Sequence, residues 1–268
     1  MILADADRVN LNRNSSKGNQ LKWFCGKKWY KADYLGYEAL SEVLVSELLA
    51  RTNVQDYVKY QLVPVSYNQH EYIGCESDSF LKEKETIITL AKLFEKYRDI
   101  DITKECAHIP HVEERIRYVV DHVVDITGLT AFGAYLTRLL EIDAFFLNED
   151  RHMNNIAVLF NDEDHFFDYC PVFDNGAALF SDTSISYPVT MGLEECLSQI
   201  EAKPFSRVFD EQVEAAEGLY GSQLKLGFDQ RDVQRIAEQC REFYPETLIN
   251  RVQDVVRNQL RKYEYLRK

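Results

Sequence analysis

One segment of the chain, FGAYLTRLLEIDAFFL at residues 132–147, is almost wholly apolar, and its exceptions are Arg138, Glu141 and Asp143. A helix that is apolar on every side is normally buried in the middle of a protein. We therefore expect this segment to be the buried centre of the larger, helical part of the fold. The polar stretch NEDRHMNN follows at once, so a loop rich in charged and amide side chains begins where a buried helix ends.

The chain changes character near residue 80. Before that point, aromatic-rich runs favour β-structure, and one segment has high helix propensity without a breaker. These patterns predict a small sheet with one helix packed on it. The predicted elements are a hairpin over 19–34, a helix over 37–52, and strands over 57–65 and 71–75.

Beyond this point, apolar residues recur at three- and four-residue spacing, which is typical of amphipathic helices. A short β-like insert interrupts the pattern. The predicted helices are 84–97, 111–126 and those of the tail at 207–268, and the predicted strands are 156–160 and 171–173. We therefore predict an α+β fold with a small sheet-rich part followed by a larger helical part.

The composition excludes several classes of protein. Hydrophobic residues make up 46% of the 268 residues, which suffices for a sizeable core and excludes a disordered chain. The net charge of −13 argues against direct nucleic-acid binding, which needs a basic surface. No two of the six cysteines lie at a CxxC spacing. The N-terminus lacks the apolar region of a signal peptide, and no uncharged apolar run reaches the roughly 18 residues of a membrane span, so we expect a cytoplasmic protein without membrane contact.

The most informative pattern is LNEDRHMNNIAVL followed by YCPVFDNGAAL. Asp150 and Asn155 come in the loop after the buried helix, and Asp174 comes after the β-like insert. This order suits phosphoryl transfer, in which one carboxylate orients the acceptor hydroxyl and takes its proton. An amide oxygen and a second carboxylate then hold Mg²⁺ against the phosphates. Asp150 and Asn155 are thus the predicted catalytic residues, Asn155 and Asp174 are the predicted metal ligands, and Gly176 is expected to let the chain turn sharply beside the metal.

DRHMNN with the later FDNG resembles the D-x-x-x-x-N…D-x-G pattern of the protein-kinase-like superfamily. The Asp-Arg-His form is similar to that of the phosphoinositide kinases and of the bacterial HipA-like serine/threonine kinases. The small size and the N-terminal half favour the HipA-like family, and the resemblance covers roughly residues 10–260. It implies a two-lobed protein-kinase-like fold. The N-lobe, over 1–78, would cover the nucleotide, and the helical C-lobe, over 79–268, would carry the catalytic loop and the metal-binding segment.

Such a kinase needs a cation for the α- and β-phosphates and a carboxylate that holds this cation. By resemblance the cation is Lys31 in the strand KKWYKADY, and Lys22 on the preceding strand is the alternative. The carboxylate is expected from the helix at 37–52, where Glu42 matches the family pattern best. Glu38 and Glu47 remain open, because the helical phase does not choose among the three residues.

The resemblance also implies a phosphate-covering loop in the stretch NRNSSKGNQLKW. There Ser15, Ser16, Lys17 and Gly18 would offer hydroxyls, backbone N–H groups and charge to the phosphates. In HipA-like kinases a serine of the corresponding loop can be autophosphorylated. Phosphate on Ser15 or Ser16 would add negative charge facing the triphosphate and would oppose closure of the loop over ATP.

Residues Ile73 to Ser77 are expected to form the hinge whose backbone groups face the adenine ring. Cys75 and Glu76 would therefore lie beside the nucleotide. The Cys75 thiol is expected to act as a small apolar wall and not as a reactive group.

The function predicted from the resemblance is ATP- and Mg²⁺-dependent phosphoryl transfer, to Ser or Thr of an unidentified protein. One alternative keeps the fold and changes the reaction to a lipid kinase, a small-molecule kinase or AMP transfer. The other alternative is a non-catalytic pseudokinase or a regulatory module of a toxin–antitoxin system. If the resemblance extends to toxin–antitoxin function, the partner would be a DNA-binding antitoxin.

Overall fold

The computed structural model describes residues 2–3 and 20–267 of the chain. The chain divides into two compact units. The sheet unit comprises Met1–Ser79, Asp174–Ile200 and Lys225–Lys268, and the helical unit comprises Phe80–Phe173 and Glu201–Leu224. Among the described helices, none combines the length and the apolar character needed to cross a membrane.

The described strands and helices are numbered in chain order. The strands are β1 (Ile2–Leu3), β2 (Lys22–Cys25), β3 (Lys28–Ala32), β4 (Gln61–Tyr67), β5 (His70–Asp78), β6 (Glu85–Thr89), β7 (Ala157–Asn161) and β8 (Phe166–Tyr169). The helices are α1 (Glu38–Leu49), α2 (Leu90–Arg98), α3 (Ile102–His108), α4 (Val112–Thr127), α5 (Phe132–Phe146), α6 (Leu193–Gln199), α7 (Phe209–Tyr220), α8 (Gln230–Gln239) and α9 (Glu246–Lys262).

The sheet unit is built on a five-stranded sheet in the order β1-β4-β5-β3-β2. Strands β2 and β3 form the predicted hairpin, which turns at Gly26 and Lys27, both with positive φ. The register places Lys22 directly opposite Lys31. Because side chains alternate between the faces of a strand, both lysines lie on one face of the sheet. The opposite face carries an apolar cluster that includes Trp23.

Helix α1 is the predicted helix of the sheet unit, and almost all of its residues are buried. It packs against β3, β4 and β5. Hydrogen bonds also tie it to the segment after Asp174, because Ser41 donates to the carbonyl of Ala178 at 3.0 Å and Tyr37 donates to the carbonyl of Leu179 at 2.6 Å. These contacts explain why this segment belongs to the same compact unit as the sheet.

The helical unit is centred on α5, as predicted, and most residues of this helix are fully buried. Helix α7 packs against α4 and α5. The contact with α5 is close at Gly133, where an added Cβ atom would lie only 2.5 Å from the ring of Tyr220. Strands β6, β7 and β8 form a separate three-stranded antiparallel sheet in this unit.

Two predicted elements of the helical unit are wrong. The helix predicted over 84–97 begins only at Leu90, because the β-branched run Thr86–Thr89 pairs with β7 as strand β6, and Thr89 caps the helix that follows. The second strand of the insert is Phe166–Tyr169 and not 171–173, because the aromatic residues of FFDY pair with β7. Propensity and pairing both favour β-structure for such β-branched and aromatic runs.

The compact units and the predicted lobes divide the chain differently. The segments Asp174–Ile200 and Lys225–Lys268 belong to the same compact unit as the N-terminal sheet. An isolated antiparallel β-bridge between Thr52 and Leu226 contributes to this grouping. The predicted lobes are defined by their expected roles in binding the nucleotide and in catalysis. Their boundary between residues 78 and 79 remains a prediction.

A buried carboxyl group joins three parts of the sheet unit. Asp33 follows β3, and its Oδ1 accepts the backbone N–H of Ala39 in α1 at 2.7 Å. Its Oδ2 accepts the hydroxyl of Tyr244, which precedes α9, at 2.7 Å. Burial raises the pKa of Asp33 from 3.8 to about 8, against the two hydrogen bonds, which favour the charged form.

This pKa predicts how the stability of the protein depends on pH. Between pH 3.8 and about 8 the folded protein keeps the Asp33 proton and the unfolded chain releases it, so the free energy of unfolding falls as the pH rises. Asparagine does not titrate, so Asp33→Asn should remove this fall in the free energy of unfolding. From pH 3.8 to about 8, the variant should therefore become progressively more stable relative to wild type. Urea unfolding at several pH values measures it, with the exposed Asp125→Asn as the control. Parallel pH profiles for wild type and Asp33→Asn would contradict the assignment.

Candidate active site

The predicted catalytic loop begins where α5 ends, at Leu147, whose φ of +56° turns the chain out of the helix. The amide nitrogen of Asn155 then donates to the carbonyl of Asp150 at 2.8 Å. The backbone N–H of His152 donates to the same carbonyl at 2.9 Å, and the imidazole Nδ1 accepts the N–H of Asn154 at 3.2 Å. The loop therefore closes on itself and brings Asp150 and Asn155 side by side.

A buried ion pair fixes this loop to α5. The guanidinium of Arg151 binds the carboxylate of Asp143 through two nitrogens, with Nε 2.9 Å from Oδ2 and Nη2 3.0 Å from Oδ1. Both side chains are fully buried. Burial raises the pKa of Asp143, and Arg151 opposes that shift because a neighbouring cation favours the carboxylate. Asp143 also accepts a hydrogen bond from the amide of Asn148 at 3.0 Å.

The third nitrogen of Arg151 holds two backbone carbonyls. Its Nη1 donates to the carbonyl of Asn155 at 3.1 Å and to that of Phe173 at 2.8 Å. One side chain thus joins the buried helix, the end of the predicted catalytic loop and the residue directly before Asp174. The sequence did not single out Arg151 for this role, although a carboxylate at Asp143 inside an apolar helix signals a buried partner.

The sheet unit gathers a second set of predicted residues around Lys31. Its ammonium makes a very short ion pair with Glu42 of α1 and lies 2.7 Å from Oδ1 of Asp174. The ring of Tyr60 lies 5.2 Å from the same ammonium, within the range of a cation–π contact. Burial disfavours the charge of Lys31, but Asp174 and Glu42 outweigh it, so the pKa of Lys31 lies well above its ordinary value.

The structure separates the three glutamates of α1 by their contacts. Glu42 is fully buried, binds Lys31, and accepts the backbone N–H of Asn175 at 2.9 Å. Glu38 instead accepts backbone N–H groups from residues 34–36 before the helix. Glu47 is 43% exposed and pairs with Arg51. Only Glu42 of the three therefore contacts Lys31.

Lys22 reaches the same carboxylate as Lys31. Its ammonium lies 3.3 Å from Oδ1 of Asp174, and its side chain is 27% exposed, whereas that of Lys31 is 9% exposed. The two lysines are cross-strand neighbours in the β2–β3 hairpin, so the alternatives left open by the sequence stand next to each other.

Gly176 lies within the turn of the FDNG motif, and the N–H of Ala178 donates to the carbonyl of Asn175 across this turn at 3.1 Å. Asp174 has a φ of +59°, a left-handed conformation that aspartate tolerates better than most residues. Gly176 is absent from the described glycines with positive φ, so it takes part in the turn without the left-handed conformation that glycine allows. It also lies against α1, where an added Cβ atom would be 3.5 Å from both Glu38 and Glu42.

The residues of the expected hinge, 73–77, lie within strand β5. Gly74, Cys75 and Glu76 lie inside β5 and are paired with β3 on one side and β4 on the other. Their backbone groups take part in the sheet, and their contact with an adenine ring remains a prediction. Cys75 is fully buried opposite Lys31, and burial raises the pKa of its thiol, as expected of an apolar wall. Glu76 points to the other face of the sheet and pairs with Lys28 at 2.6 Å.

The predicted phosphate-covering loop, with Ser15, Ser16, Lys17 and Gly18, lies outside the described residues. Its roles in binding phosphates and in autophosphorylation remain predictions.

The two predicted metal ligands fit the chemistry of Mg²⁺, which prefers oxygen atoms and takes few of them from the protein. The amide nitrogen of Asn155 is used in the loop, which orients this side chain and leaves its oxygen as the group that would bind a cation. The Asp174 side chain is a carboxylate that already binds the ammonium groups of Lys22 and Lys31. In the described ranges, no three or more His, Cys, Asp or Glu side chains cluster as a metal site.

The fold is α+β and protein-kinase-like, as the sequence predicted. One similar structure is the proinflammatory kinase CtkA of Helicobacter pylori, with a TM-score of 0.66 and 14% identity over 97% of this chain and 95% of that chain. Another is a toxin–antitoxin complex of HipA, HipB and operator DNA from Shewanella oneidensis MR-1, with a TM-score of 0.50 and 11% identity. That match covers 97% of this chain and 66% of the other. The second likeness agrees with the predicted resemblance to HipA-like kinases at the level of the fold.

Sequence comparison adds nothing to these structural likenesses. No protein-family model matches the chain, and no curated protein matches its sequence.

The buried pair of Arg151 and Asp143 predicts a large effect on stability. Arg151→Ala should lower the free energy of unfolding by about 3–5 kcal/mol, because it leaves the Asp143 carboxylate buried without its cation. Urea unfolding followed by circular dichroism measures the change. Arg257→Ala is the matched control, since Arg257 pairs with Asp254 on the surface and such pairs contribute about 0–1 kcal/mol. Equal effects of the two substitutions would contradict the central role of Arg151.

Proposed function

We propose that this chain is an ATP- and Mg²⁺-dependent kinase that transfers the γ-phosphoryl group of ATP to a Ser or Thr hydroxyl of a protein. The observation that carries the proposal is the buried ammonium of Lys31, held by the carboxylates of Glu42 and Asp174. A buried lysine that is fixed by a helix glutamate is the cation that kinases aim at the α- and β-phosphates. Such an ammonium is held in place before the nucleotide arrives.

Lys31 is the phosphate-binding lysine in this proposal, and Glu42 holds it. Lys31 suits the role better than Lys22, because it is more buried and binds two carboxylates, whereas Lys22 is more exposed and lies further from Asp174. Lys22 then serves as a second cation beside it. This assignment keeps the positive charge of both lysines on one face of the hairpin.

Asp150 is the proposed base, and Asn155 and Asp174 are the proposed ligands of Mg²⁺. Asp150 orients the acceptor hydroxyl and takes its proton, while its own backbone carbonyl fixes the amide of Asn155. When bound, Mg²⁺ supplies positive charge that offsets the charge of the phosphate oxygens. Arg151 supports these roles because it fixes both Asn155 and the residue before Asp174.

The charge of the chain favours a protein acceptor over a lipid. An anionic lipid headgroup is recognised by basic side chains, and the net charge of −13 disfavours such a surface. The Ser15–Gly18 segment is the proposed cover of the phosphates. The Shewanella structure contains HipB and operator DNA beside HipA, and for this chain a DNA-binding partner of the antitoxin type is part of the proposal.

Asp150→Asn tests the proposed base. The substitution should lower the rate of transfer by about 100- to 10,000-fold, because an amide takes no proton from the acceptor. The affinity for Mg·ATP should stay close to that of wild type. Label transfer from γ-labelled ATP to the chain itself and to dephosphorylated casein measures the rate, and calorimetry measures the affinity.

The matched control for this experiment is Asp125→Asn. Asp125 is likewise an aspartate of the helical unit with a cationic partner, Arg98, but it lies on the surface. This control should keep the wild-type rate. Wild-type turnover by Asp150→Asn would remove Asp150 from the mechanism.

A further inference from the structure

A lysine that no sequence pattern identified contacts the proposed base. The Nζ atom of Lys203 lies 3.1 Å from Oδ1 of Asp150. The Lys203 side chain is 33% exposed and that of Asp150 is 14% exposed, so this contact is partly shielded from water. Lys203 belongs to the segment that precedes α7, and 53 positions of sequence separate the two residues. A hydrogen bond between an ammonium and a carboxylate is stronger than one between neutral groups.

The backbone around Lys203 is fixed from two sides. Gln212 of α7 is completely buried, and its amide donates to the carbonyl of Lys203 at 3.2 Å and accepts the N–H of Phe205 at 3.4 Å. Arg115 of α4 donates to the carbonyl of Phe205 at 2.7 Å. Within the same turn, the N–H of Ala202 donates to the carbonyl of residue 207 at 2.8 Å. The turn therefore presents Lys203 from a defined position.

Lys203 and Asp150 share one rigid framework. The loop of Asp150 is held to α5 through Arg151 and Asp143. The turn of Lys203 is held to α4 and α7, and α7 packs against both α4 and α5. Their contact thus joins a loop that is fixed to α5 with a turn that is fixed to α4 and α7.

Folding alone gives little reason for this arrangement. A partly exposed ion pair contributes about 0–1 kcal/mol to stability. Chemistry gives a stronger reason, because the carboxylate of Asp150 must work beside a highly charged triphosphate. An ammonium at 3.1 Å offsets the repulsion between the two anions and limits rotation of the carboxylate.

We propose that Lys203 is a positioning residue for phosphoryl transfer, which holds the Asp150 carboxylate in the orientation that receives the acceptor proton. This inference rests on the proposed function. In the step that it serves, Asp150 takes the proton of the acceptor hydroxyl and the hydroxyl oxygen bonds to the γ-phosphorus. The bond from that phosphorus to the bridging oxygen breaks, and its electron pair leaves on ADP. Lys203 keeps its proton throughout.

Lys203→Met and Lys203→Arg test the inference. The methionine variant should lower kcat by about 10- to 100-fold, because a misplaced catalytic group loses that much. Its KM for ATP should stay within about twofold of wild type, since Lys203 is not assigned to ATP binding. The arginine variant should restore most of kcat because it keeps the charge. The assay is label transfer from γ-labelled ATP to the chain itself and to dephosphorylated casein, with urea unfolding of each variant in parallel.

The matched control is Lys104→Met. Lys104 also lies 3.1 Å from an aspartate, Asp101, in the same unit, but both partners are well exposed. It should keep the wild-type kcat. Two results would overturn the inference and leave the proposed function standing. One is a wild-type kcat in Lys203→Met. The other is a loss of kcat that accompanies a lower unfolding midpoint and that arginine does not restore. Absence of transfer by the wild-type protein would overturn the proposed function and, with it, the role of Lys203.

Discussion

The buried ion pair between Arg151 and Asp143 is the interaction on which the arrangement of the proposed catalytic residues depends. A charge inside an apolar helix is costly unless it is paired and hydrogen-bonded. Asp143 meets this requirement by binding Arg151 through two nitrogens, and Arg151 meets it by also holding the carbonyls of Asn155 and Phe173. The same pair that satisfies the buried charge therefore fixes the proposed catalytic loop and the residue before Asp174.

The charges of the sheet unit follow a similar logic around Glu42. This carboxylate lies on a helix with hardly any exposed residue and is fully buried. It binds the ammonium of Lys31 and the backbone N–H of Asn175, so one side chain joins strand β3, helix α1 and the FDNG segment. Asp174 then receives two ammonium groups, from Lys22 and Lys31. The cluster therefore holds two ammonium groups and two carboxylates close together.

Local patterns predicted the hairpin, α1, α4 and the buried α5, because each has a strong periodicity or propensity of its own. The errors arose where tertiary pairing decides. Residues 85–89 read as the start of a helix but pair with β7, and the second strand of the insert is 166–169, which pairs with β7, and not 171–173. The motif residues Asp150, Asn155 and Asp174 could be singled out by spacing alone. The contacts of Arg151 with Phe173 and of Lys203 with Asp150 could not, because each joins residues that are far apart in the sequence and are brought close only by tertiary packing.

The central claim is that the chain transfers the γ-phosphoryl group of ATP. The most direct measurement incubates the wild-type protein and Mg²⁺ with ATP labelled at its γ-phosphate and, in parallel, with ATP labelled at its α-phosphate. Mass spectrometry of the chain and of a cell lysate then locates the label. Our account predicts that γ-label appears on Ser or Thr residues and that α-label does not. Transfer of α-label would show AMP transfer, and transfer of neither label would show a protein without the proposed activity; either result would contradict the account.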